Sequence, residues 1–288
     1  MTTTRSAAVF ILTHGRPDNI KTLDMLQRSG YTGKIHIVID NEDARADEYF
    51  ERYGDMVLQF DKKAVADRID DADTSGDRRA IIYARHAAQD MAKELGYDYM
   101  LQLDDDYADL RYRFIKNGVL TSYRVKNLDA LFEATYKFLD DTDSLTVAFG
   151  QGGDMIGGIN SPNYKRGLQR KAMNSFFIRT SKYVNFIGKI NDDVNMYVVY
   201  GSRGEKVFTA FHVNVLQMAT QANQGGMTEL YLEEGTYAKS FYSVMMAPSC
   251  VKIYPMGTAN RRLHHKVDWR YAVPCIINEK HKKVGGLK

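Results

Sequence analysis

Three consecutive carboxylates, Asp104, Asp105 and Asp106, follow the apolar run of residues 99–103. Like charges this close repel one another unless something positive lies among them. Because carboxylate oxygens are the hard ligands that Mg²⁺ and Mn²⁺ prefer, the triplet predicts a divalent-metal site that bridges substrate phosphates. An acidic turn after a strand is the alternative. The metal site is favoured, since ligands of parallel α/β sheets bind beyond the carboxyl ends of the strands.

The elements that must position this triplet alternate through the first 106 residues. Apolar runs predict strands at 7–12, 34–39, 56–60 and 99–103, and helical spacing predicts helices at 19–28, 44–53 and 80–95. The polar and acidic residues 61–78 predict a mobile loop. Strands that alternate with helices are typical of a parallel sheet covered by helices.

The second half of the sequence is less regular. It predicts helices at 128–139 and 191–200, strands at 145–149, 175–178, 208–216 and 243–247, and a glycine-rich loop at 150–158. No internal repeat, low-complexity segment or proline-rich linker divides the 288 residues. We therefore expect one continuous domain.

Composition excludes several classes of protein. With 44% hydrophobic and 26% charged residues, the chain has enough apolar surface for a core, which excludes disorder as its main state. No apolar run reaches the roughly 18 residues of a membrane span, and residues 7–12 lack the flanks of a signal peptide. Two cysteines, Cys250 and Cys275, are too few for a disulfide framework or a zinc finger and indicate reduced thiols in a cytoplasm.

Positive charge is concentrated in three stretches. Residues 111–126, 161–189 and 259–288 carry net charges of +5, +7 and +6, which leaves −15 for the rest of a chain whose total is +3. Tyrosine and phenylalanine are interleaved with the basic residues of the first two stretches. Basic side chains contact phosphates and aromatic rings stack on unpaired bases, so these stretches predict a nucleic-acid surface. The alternative is a solvated surface over core aromatics.

The stretch from Arg79 to Asp106 resembles the heart of the GT-A glycosyltransferases. In that fold a helix with an Ala-Arg-Asn turn precedes a strand that ends in Asp-x-Asp, and here His86 stands in place of the Asn. Further segments, in the family's order, resemble the nucleotide-binding positions (13–17 and Asp40), the glycine-rich loop near the donor sugar (150–158), the acidic acceptor-site motif (191–193) and the late metal-binding histidine (263–265).

Within that fold the chain is most similar to the TET-associated glycosyltransferases of bacteriophages, through the segments THGRPDN, QLDDDY, NDDVNMY and RRLHHKVDW. The resemblance implies an α/β, Rossmann-like GT-A fold with a mixed, mostly parallel central sheet flanked by helices. It implies a nucleotide-sugar-binding half (1–110) and an acceptor-binding half (111–288). The implied reaction moves a sugar from a nucleotide-diphosphate sugar, a UDP-sugar in our expectation, to 5-hydroxymethylcytosine in DNA. The implied location is a bacterial host cytoplasm, with no membrane contact.

The same resemblance assigns roles to individual residues. Asp104, Asp106 and one of His264 or His265 hold Mn²⁺ or Mg²⁺. If the reaction inverts the anomeric centre, Asp193, with Asp192 as second choice, takes the proton of the acceptor hydroxyl. The donor contacts are Thr13, His14, Gly15, Arg16, Asp40, Arg79, Arg85, Asp104 and Asp105, and the DNA contacts are Lys165, Arg166, Arg170 and Lys171.

These roles have structural alternatives. Arg85 could form a surface ion pair, the two histidines a satisfied pair, Asp192 and Asp193 a helix cap, and the glycine loop an ordinary flexible turn. Two other function classes stay open, a glycosyltransferase with another acceptor and a binding module. A GT-A enzyme with a polysaccharide or protein acceptor would be indifferent to nucleic acid. A nucleotidyltransferase would need no acceptor-side Asp at a helix start, and a binding module with a degenerate site need not retain metal ligands.

Overall fold

The computed structural model describes residues 5–72, 76–166, 170–217, 239–256 and 262–274. Its centre is a nine-stranded sheet in the order β3-β2-β1-β4-β8-β7-β9-β5-β6. The strands are β1 (Ala7–Leu12), β2 (Lys34–Asp40), β3 (Val57–Phe60), β4 (Tyr99–Asp104), β5 (Tyr107–Lys116), β6 (Val119–Arg124), β7 (Thr146–Gln151), β8 (Ser175–Arg179) and β9 (Val207–Gln217). A separate antiparallel pair joins β10 (Val251–Met256) to β11 (Arg262–Val267).

Seven of the nine strands in the central sheet run in one direction. The strands β1 to β4 are mutually parallel, β8 and β5 run the opposite way, and β7, β9 and β6 run with the first four. The predicted mixed, mostly parallel sheet is therefore confirmed. Because β1, β2 and β4 are parallel neighbours, the residues that follow them meet at one edge of the sheet, and Thr13 and the Asp triplet lie there.

Helices cover both faces of this sheet. They are α1 (Lys21–Arg28), α2 (Ala46–Tyr53), α3 (Lys62–Ala66), α4 (Ile82–Glu94), α5 (Leu128–Asp141), α6 (Pro162–Arg166), α7 (Asp192–Ser202) and α8 (residues 239–246). In β1, Ala8, Phe10 and Leu12 point into a core with α4 and α7, whereas Val9 and Ile11 point into a core with α1 and α5. Since side chains alternate across a strand, burial on both faces explains why β1 is a continuous apolar run.

The structure corrects three expectations. Residues 61–78 are not simply a loop, because Asp61 caps α3 by accepting a hydrogen bond from the amide of Ala64 at 2.9 Å. The predicted strand 243–247 is helical up to residue 246, since a short apolar run does not distinguish a strand from a buried helix. The stretch 111–126, analysed only for its charge, lies largely in the antiparallel hairpin of β5 and β6.

No helix among the described ranges is long and apolar enough to cross a membrane.

Candidate active site

The loop after β1 is pinned by hydrogen bonds from two directions. Thr13 donates from Oγ1 to Oδ2 of Asp105 at 2.6 Å and lies 3.1 Å from the hydroxyl of Tyr49. The amide of Arg16 also donates to that hydroxyl, at 2.7 Å. Gly15 has a φ of 70°, and its amide donates to a carboxylate oxygen of Asp43 at 2.6 Å. The predicted donor-binding loop therefore contacts the Asp triplet directly.

Asp40, at the end of β2, is a buried carboxylate between two bases. Nδ1 of His14 lies 2.8 Å from its Oδ2, and the buried Lys62 donates to the same oxygen from Nζ at 3.3 Å. Burial alone would raise the pKa of Asp40, but these hydrogen bonds outweigh burial and hold that pKa below its usual range. The same contact raises the pKa of His14. The structure thus brings the predicted His14 and Asp40 together and adds Lys62.

The Asp triplet sits at the carboxyl end of β4, where α1 holds its backbone. Thr22 donates from Oγ1 to the carbonyl of Asp104 at 2.5 Å and from its amide to the carbonyl of Asp105 at 3.1 Å. Burial raises the pKa of Asp104 to about 7 and that of Asp105 to about 6. Burial also raises the pKa of Asp106, against the opposing charge of Arg16. Three crowded, partly desolvated carboxylates are poised to accept a cation.

Arg85 links this triplet to the second acidic pair. Its side chain is only 3% exposed, Nη2 lies 3.7 Å from Oδ1 of Asp104, and Nε lies 2.7 Å from Oδ2 of Asp192. The guanidinium also stacks over the rings of Phe176 and Phe186, at 4.7 and 5.4 Å from their centroids. The alternative of a surface ion pair is therefore wrong for Arg85. Neither contact meets the geometry of a hydrogen bond, so Oδ1 of Asp104 and Oδ2 of Asp192 are buried oxygens that Arg85 holds by ion pairing.

Asp192 and Asp193 open α7 but do not cap it. The capping residue is Asn191, in the left-handed conformation with φ 54°, and its side chain makes no capping hydrogen bond. Oδ1 of Asp193 accepts instead from the adjacent amide of Val194 at 2.7 Å. Burial, the neighbouring Asp192 and the opposing Arg85 together set the pKa of Asp193 at about 6.

The left-handed turn before α7 is supported by α8. Nδ2 of Asn191 donates to the carbonyl of Lys239 at 2.8 Å and to Oγ of Ser243 at 3.2 Å. Asn195, one turn into α7, donates to the carbonyls of Ile187 and Ile190 at 2.9 and 3.1 Å. These buried amides fix the entry into α7 and hence the direction in which its first two carboxylates point.

The two predicted metal histidines lie on β11, half-buried. Nδ1 of His264 bonds the backbone carbonyl of His265 at 2.8 Å, and the two rings are 4.4 Å apart. Burial, with His264 next to it, lowers the pKa of His265 to about 4, so this ring is neutral. Within the described ranges, no group of three or more His, Cys, Asp or Glu side chains is placed to hold a metal ion. The structure does not preassemble the predicted ligand set.

The glycine-rich loop after β7 is ordered by internal bonds rather than being a plain flexible turn. Residues Gly152–Met155 and Gly158–Asn160 form two tight helical turns, and the buried Asp154 accepts from the amide of Gln151 at 3.0 Å. Lys171 pairs with Asp154, so its charge is compensated inside the protein. Of the other predicted DNA contacts, Lys165 and Arg170 are exposed, and the side chain of Arg166 lies outside the described residues.

Two further predicted positions have local partners. Arg79 pairs with Asp77 at 2.8 Å and is 39% exposed. His86 is buried in α4 between the hydroxyl of Tyr183, at 2.8 Å, and the carbonyl of Phe186, at 3.0 Å. Burial lowers its pKa. His86 therefore holds α4 against the segment before α7 and does not face the triplet.

Sequence reasoning missed four residues that build the site. They are Thr22, Asp43, Tyr49 and Lys62, each of which bonds a predicted residue through a tertiary contact. Only the proximity of Asp43 to Asp40 in the chain could have suggested one of them. The others lie within or at the start of helices, where their residue types carry no signal.

The family assignment follows from a comparison of sequences. The sequence profile of the family described as TET-Associated Glycosyltransferase matches residues 7–226, which include the Asp triplet, the glycine loop and the start of α7. The chain belongs to this family. It is accordingly a glycosyltransferase, and the fold class predicted from the sequence is confirmed by the family together with the strand order of the sheet. Among curated proteins none matches the chain significantly.

Two solved structures to which the chain is similar have low sequence identity to it. Glucosyl-3-phosphoglycerate synthase from Mycobacterium tuberculosis, in complex with Mn²⁺, UDP and phosphoglyceric acid, is 10% identical, with a TM-score of 0.45 over 91% of this chain and 87% of that one. TarS 1–349 from S. aureus in complex with UDP-GlcNAc is 13% identical, with a TM-score of 0.44 over 84% and 66%. With TM-scores below 0.5, these similarities do not define the substrate of this glycosyltransferase.

Proposed function

We propose that this glycosyltransferase moves a sugar from a nucleotide-diphosphate sugar, a UDP-sugar, to the hydroxymethyl group of 5-hydroxymethylcytosine in DNA. The observation that carries the proposal is the buried Arg85, which contacts Asp104 at the end of β4 and Asp192 at the start of α7. One cation thereby joins the predicted donor-side carboxylates to the predicted acceptor-side carboxylates. The family to which the chain belongs supports both the transfer reaction and the DNA acceptor.

The carboxylate cluster fits a divalent cation. Oδ1 of Asp104 is a buried oxygen that accepts no aligned hydrogen bond, and burial raises the pKa values of the three adjacent carboxyl groups. Mg²⁺ and Mn²⁺ commonly take only one or two protein carboxylates and complete their shell with water and substrate phosphates, so a preassembled cage is not required. Asp104 and Asp106 would hold Mn²⁺ or Mg²⁺, with His264 or His265 as the further ligand. Such a cation supplies Lewis-acid stabilisation of the departing diphosphate.

The protein's own cations act on the same leaving group. In the reaction the bond between the sugar carbon and the diphosphate oxygen breaks, and negative charge grows on the diphosphate. Arg16, whose Nε lies 3.2 Å from Oδ2 of Asp105, and Arg85 offer guanidinium groups beside the triplet. Guanidinium geometry suits phosphate oxygens, so both stabilise the departing charge. The pinned loop of residues 13–16, Asp40 and Arg79 complete the donor side in our proposal.

Asp193 is the proposed general base. The acceptor hydroxyl loses its proton as its oxygen forms the new bond to the sugar, and a nearby carboxylate must take that proton. A pKa of about 6 keeps Asp193 largely ionised at neutral pH and makes it a stronger base than an ordinary aspartate. Asp192 is engaged by Arg85 at 2.7 Å, which favours Asp193 over Asp192 for this role.

In this proposal residues 1–110 bind the donor and residues 111–288 bind the acceptor. The exposed Lys165 and Arg170 contact DNA phosphates, together with Arg166. Lys171, paired with Asp154, contributes to the order of the glycine loop instead.

The test is a direct assay of product. The protein is incubated with duplex DNA that contains 5-hydroxymethylcytosine and with a panel of nucleotide sugars, after which the DNA is digested and the nucleosides are weighed by mass spectrometry. We expect a mass increase of one sugar on hydroxymethylcytosine alone, with unmodified cytosine DNA as the control. Absence of the product with every donor, together with transfer to a polysaccharide or protein acceptor, would overturn the DNA acceptor.

A further inference from the structure

The hairpin of β5 and β6 extends beyond the central sheet. β5 pairs with β9 between Tyr107 and Tyr112, whereas β5 and β6 pair with each other from Arg111 with Arg124 to Lys116 with Val119. The turn residues Asn117 and Gly118 have φ of 51° and 75°, the two positive values that a type I′ turn requires. Residues 113–122 therefore form a two-stranded arm, here called the free arm, with no third strand beside it in the described sheet.

The free arm carries an exposed aromatic and aliphatic surface at its end. The rings of Phe114 and Tyr123 stack with centroids 5.1 Å apart, and Nζ of Lys116 lies 5.9 Å from the centre of the Tyr123 ring. Phe114, Ile115 and Val119 are 44%, 48% and 63% exposed. Phe114 and Val119 lie on one face of the hairpin and Ile115 on the other. Exposed apolar side chains that share a face commonly mark an interaction site.

The charge of the same hairpin is positive. Its base is neutralised, because the buried Asp109 pairs with Arg111 at 3.0 Å and with Arg124 at 2.9 Å. Arg113 and Lys116, further out, form no ion pair with any described residue. The apolar end of the arm is thus bordered by uncompensated cations, which fits a polyanionic partner.

The second basic stretch lies beside the arm. Strand β6 contacts the turn Gly158–Asn160 of the glycine loop, and α6 packs against that same turn. His212 lies 3.1 Å from the carbonyl of Arg113 through Nδ1, and its ring is 5.6 Å from that of Tyr164 in α6. The arm and the exposed Lys165 therefore belong to one continuous side of the molecule.

We propose that the free arm lies in the major groove of the acceptor duplex, on one flank of the target base. This inference rests on the proposed function, because it presupposes a DNA acceptor. A two-stranded β-ribbon is one of the elements that the major groove, about 12 Å wide, admits. Arg113 and Lys116 contact the phosphates at its rim, while Phe114 and Val119, which share one face of the hairpin, meet the C5 substituents of pyrimidines on its floor.

The length of the arm limits how far from the reaction centre it can contact the DNA. β5 begins directly after Asp106, so Phe114 lies eight residues along a continuous strand from the triplet. At about 3.3 Å per residue this is at most about 26 Å. Since stacked base pairs are about 3.4 Å apart, the arm reaches DNA up to about eight base pairs from the base at the reaction centre.

A second copy of this chain is the other candidate occupant, because β6 is an edge strand. Two arms that pair edge to edge would bring the cations of both copies together. Residues 111–126 carry five basic side chains and no acid, so such an interface repels itself. Charge complementarity favours DNA.

The experiment measures how transfer depends on duplex length. Duplexes with a single hydroxymethylcytosine and flanks of increasing length are glycosylated under single-turnover conditions. We expect kcat/KM of the parent to rise until the flank on one side reaches about eight base pairs, the reach of the arm. The variant Phe114→Ala with Lys116→Ala should lose this dependence and fall by about tenfold on long duplexes, the effect of removing one good groove contact. On the shortest duplex it should match the parent.

A matched control and two further measurements make the outcomes distinct. Phe50→Ala with Lys63→Ala removes an aromatic ring and a lysine of similar exposure from the nucleotide-binding half and should leave the length dependence unchanged. Donor hydrolysis without DNA should be equal in all variants, which shows that each one is folded.

If the arm variant keeps the parent's length dependence, the inference is wrong although the proposed function stands. If the parent modifies no hydroxymethylcytosine DNA, the proposed function itself fails. A parent that sediments as a dimer, with a monomeric arm variant of unchanged DNA kinetics, would assign the arm to self-association.

Discussion

Arg85 connects the Asp triplet at the end of β4 to the carboxylates at the start of α7. It is buried between Asp104 and Asp192 and lies over the rings of Phe176 and Phe186. The attraction of these carboxylates outweighs burial, so the pKa of Arg85 is raised rather than lowered. Removal of one partner of a buried ion pair leaves an uncompensated charge, which costs far more than the pair contributes by itself.

We predict that Arg85→Ala lowers the free energy of unfolding by about 3–5 kcal/mol, because it leaves Asp104 and Asp192 without their cation. Asp192→Asn, added to Arg85→Ala, should restore part of this loss, so that the two changes are not additive. Urea unfolding of the four proteins of this cycle checks the expectation. Donor affinity by calorimetry should fall in Arg85→Ala, and an unchanged affinity would contradict its role at the diphosphate.

Because Asp193 is the proposed general base, we predict that activity falls at low pH. A general base acts only when ionised, and the pKa of Asp193 is about 6, so kcat/KM should be full above about pH 7 and fall as the pH drops through about 6. Asp193→Asn should reduce kcat by about 100- to 10,000-fold. Because Asp192 raises the pKa of Asp193, Asp192→Asn should move the acidic limb to lower pH. A limb that stays in place in Asp193→Asn would assign the base elsewhere.

The Asp triplet predicts dependence on a divalent cation. Treatment with EDTA should abolish transfer, and added Mn²⁺ or Mg²⁺ should restore it. Asp106→Ala should abolish transfer at every metal concentration, while circular dichroism and the unfolding midpoint report a folded protein. Full turnover in EDTA would remove the metal from the proposal.

At the scale of elements, the segment before α7 shows how closely the site is packed. Gly188 has a φ of 74°, and a Cβ there would lie 3.0 Å from the ring of Tyr242 and 3.2 Å from the side chains of Asn195 and Met246. The amides of Gly188 and Lys189 donate to the carbonyls of Asp70 and Asp71 at 3.1 and 2.9 Å. The approach to α7 is therefore fixed by the backbone of residues 70–71 and by α8 together.

We predict that Gly188→Ala destabilises the protein more than Gly96→Ala does. Both glycines have positive φ, of 74° and 77°, but a Cβ at Gly96 meets nothing within 4 Å. Gly96→Ala should cost about 1–2 kcal/mol for the backbone alone, and Gly188→Ala a further 1–3 kcal/mol or so for overpacking. Urea unfolding measures the difference, and equal losses would mean that the neighbours of Gly188 yield without cost.

Elements with strong periodicity were predictable from the sequence, and elements fixed by tertiary contacts were not. The run at 7–12 and the helix at 80–95 appear as β1 and α4 because burial leaves a pattern in the residue types. The short helix α3 depends on Asp61 and on one buried face, which leave little pattern. The hairpin could have been predicted from Asn117-Gly118, a dipeptide typical of a two-residue hairpin turn, although only the charge of residues 111–126 entered the prediction. In the site, the carboxylates were predictable from their position after strands, whereas Tyr49 and Lys62 reach it only through the fold.

At the scale of the whole molecule, only some of the described cations in the basic stretches are free of internal ion pairs. Arg179 and Lys182 of the second basic stretch pair with Asp143, and Lys171 pairs with Asp154, so these cations balance acids of the protein itself. The exposed remainder of this stretch includes Lys165 and Arg170. Net charge over a stretch of sequence therefore overstates the cationic surface.

We predict that Lys165→Ala with Arg170→Ala weakens DNA binding and reduces its dependence on salt. Each cation that no longer neutralises a phosphate should lower the slope of log affinity against log salt by about 0.9, so the double variant lowers it by about 1.8. The exposed Lys63 and Lys137, changed to Ala, serve as a control of equal charge loss and should leave the slope unchanged. Fluorescence anisotropy over a salt series measures both, and equal slopes would place the DNA elsewhere.

β5 runs from the Asp triplet to the hairpin turn. In the proposed DNA complex its length therefore sets the distance between the reaction centre and the DNA contact of the arm. Its length is counted in residues, so it can be changed by design. Insertion of two residues into β5 and two into β6, between Phe114 and Thr121, would keep each side chain on its face and extend the arm by about 7 Å. One residue in each strand would turn the apolar end over to the opposite face. The first change should lengthen the preferred flank by about two base pairs, and the second should abolish that preference, so the footprint of the enzyme on DNA becomes a quantity that can be set from its sequence.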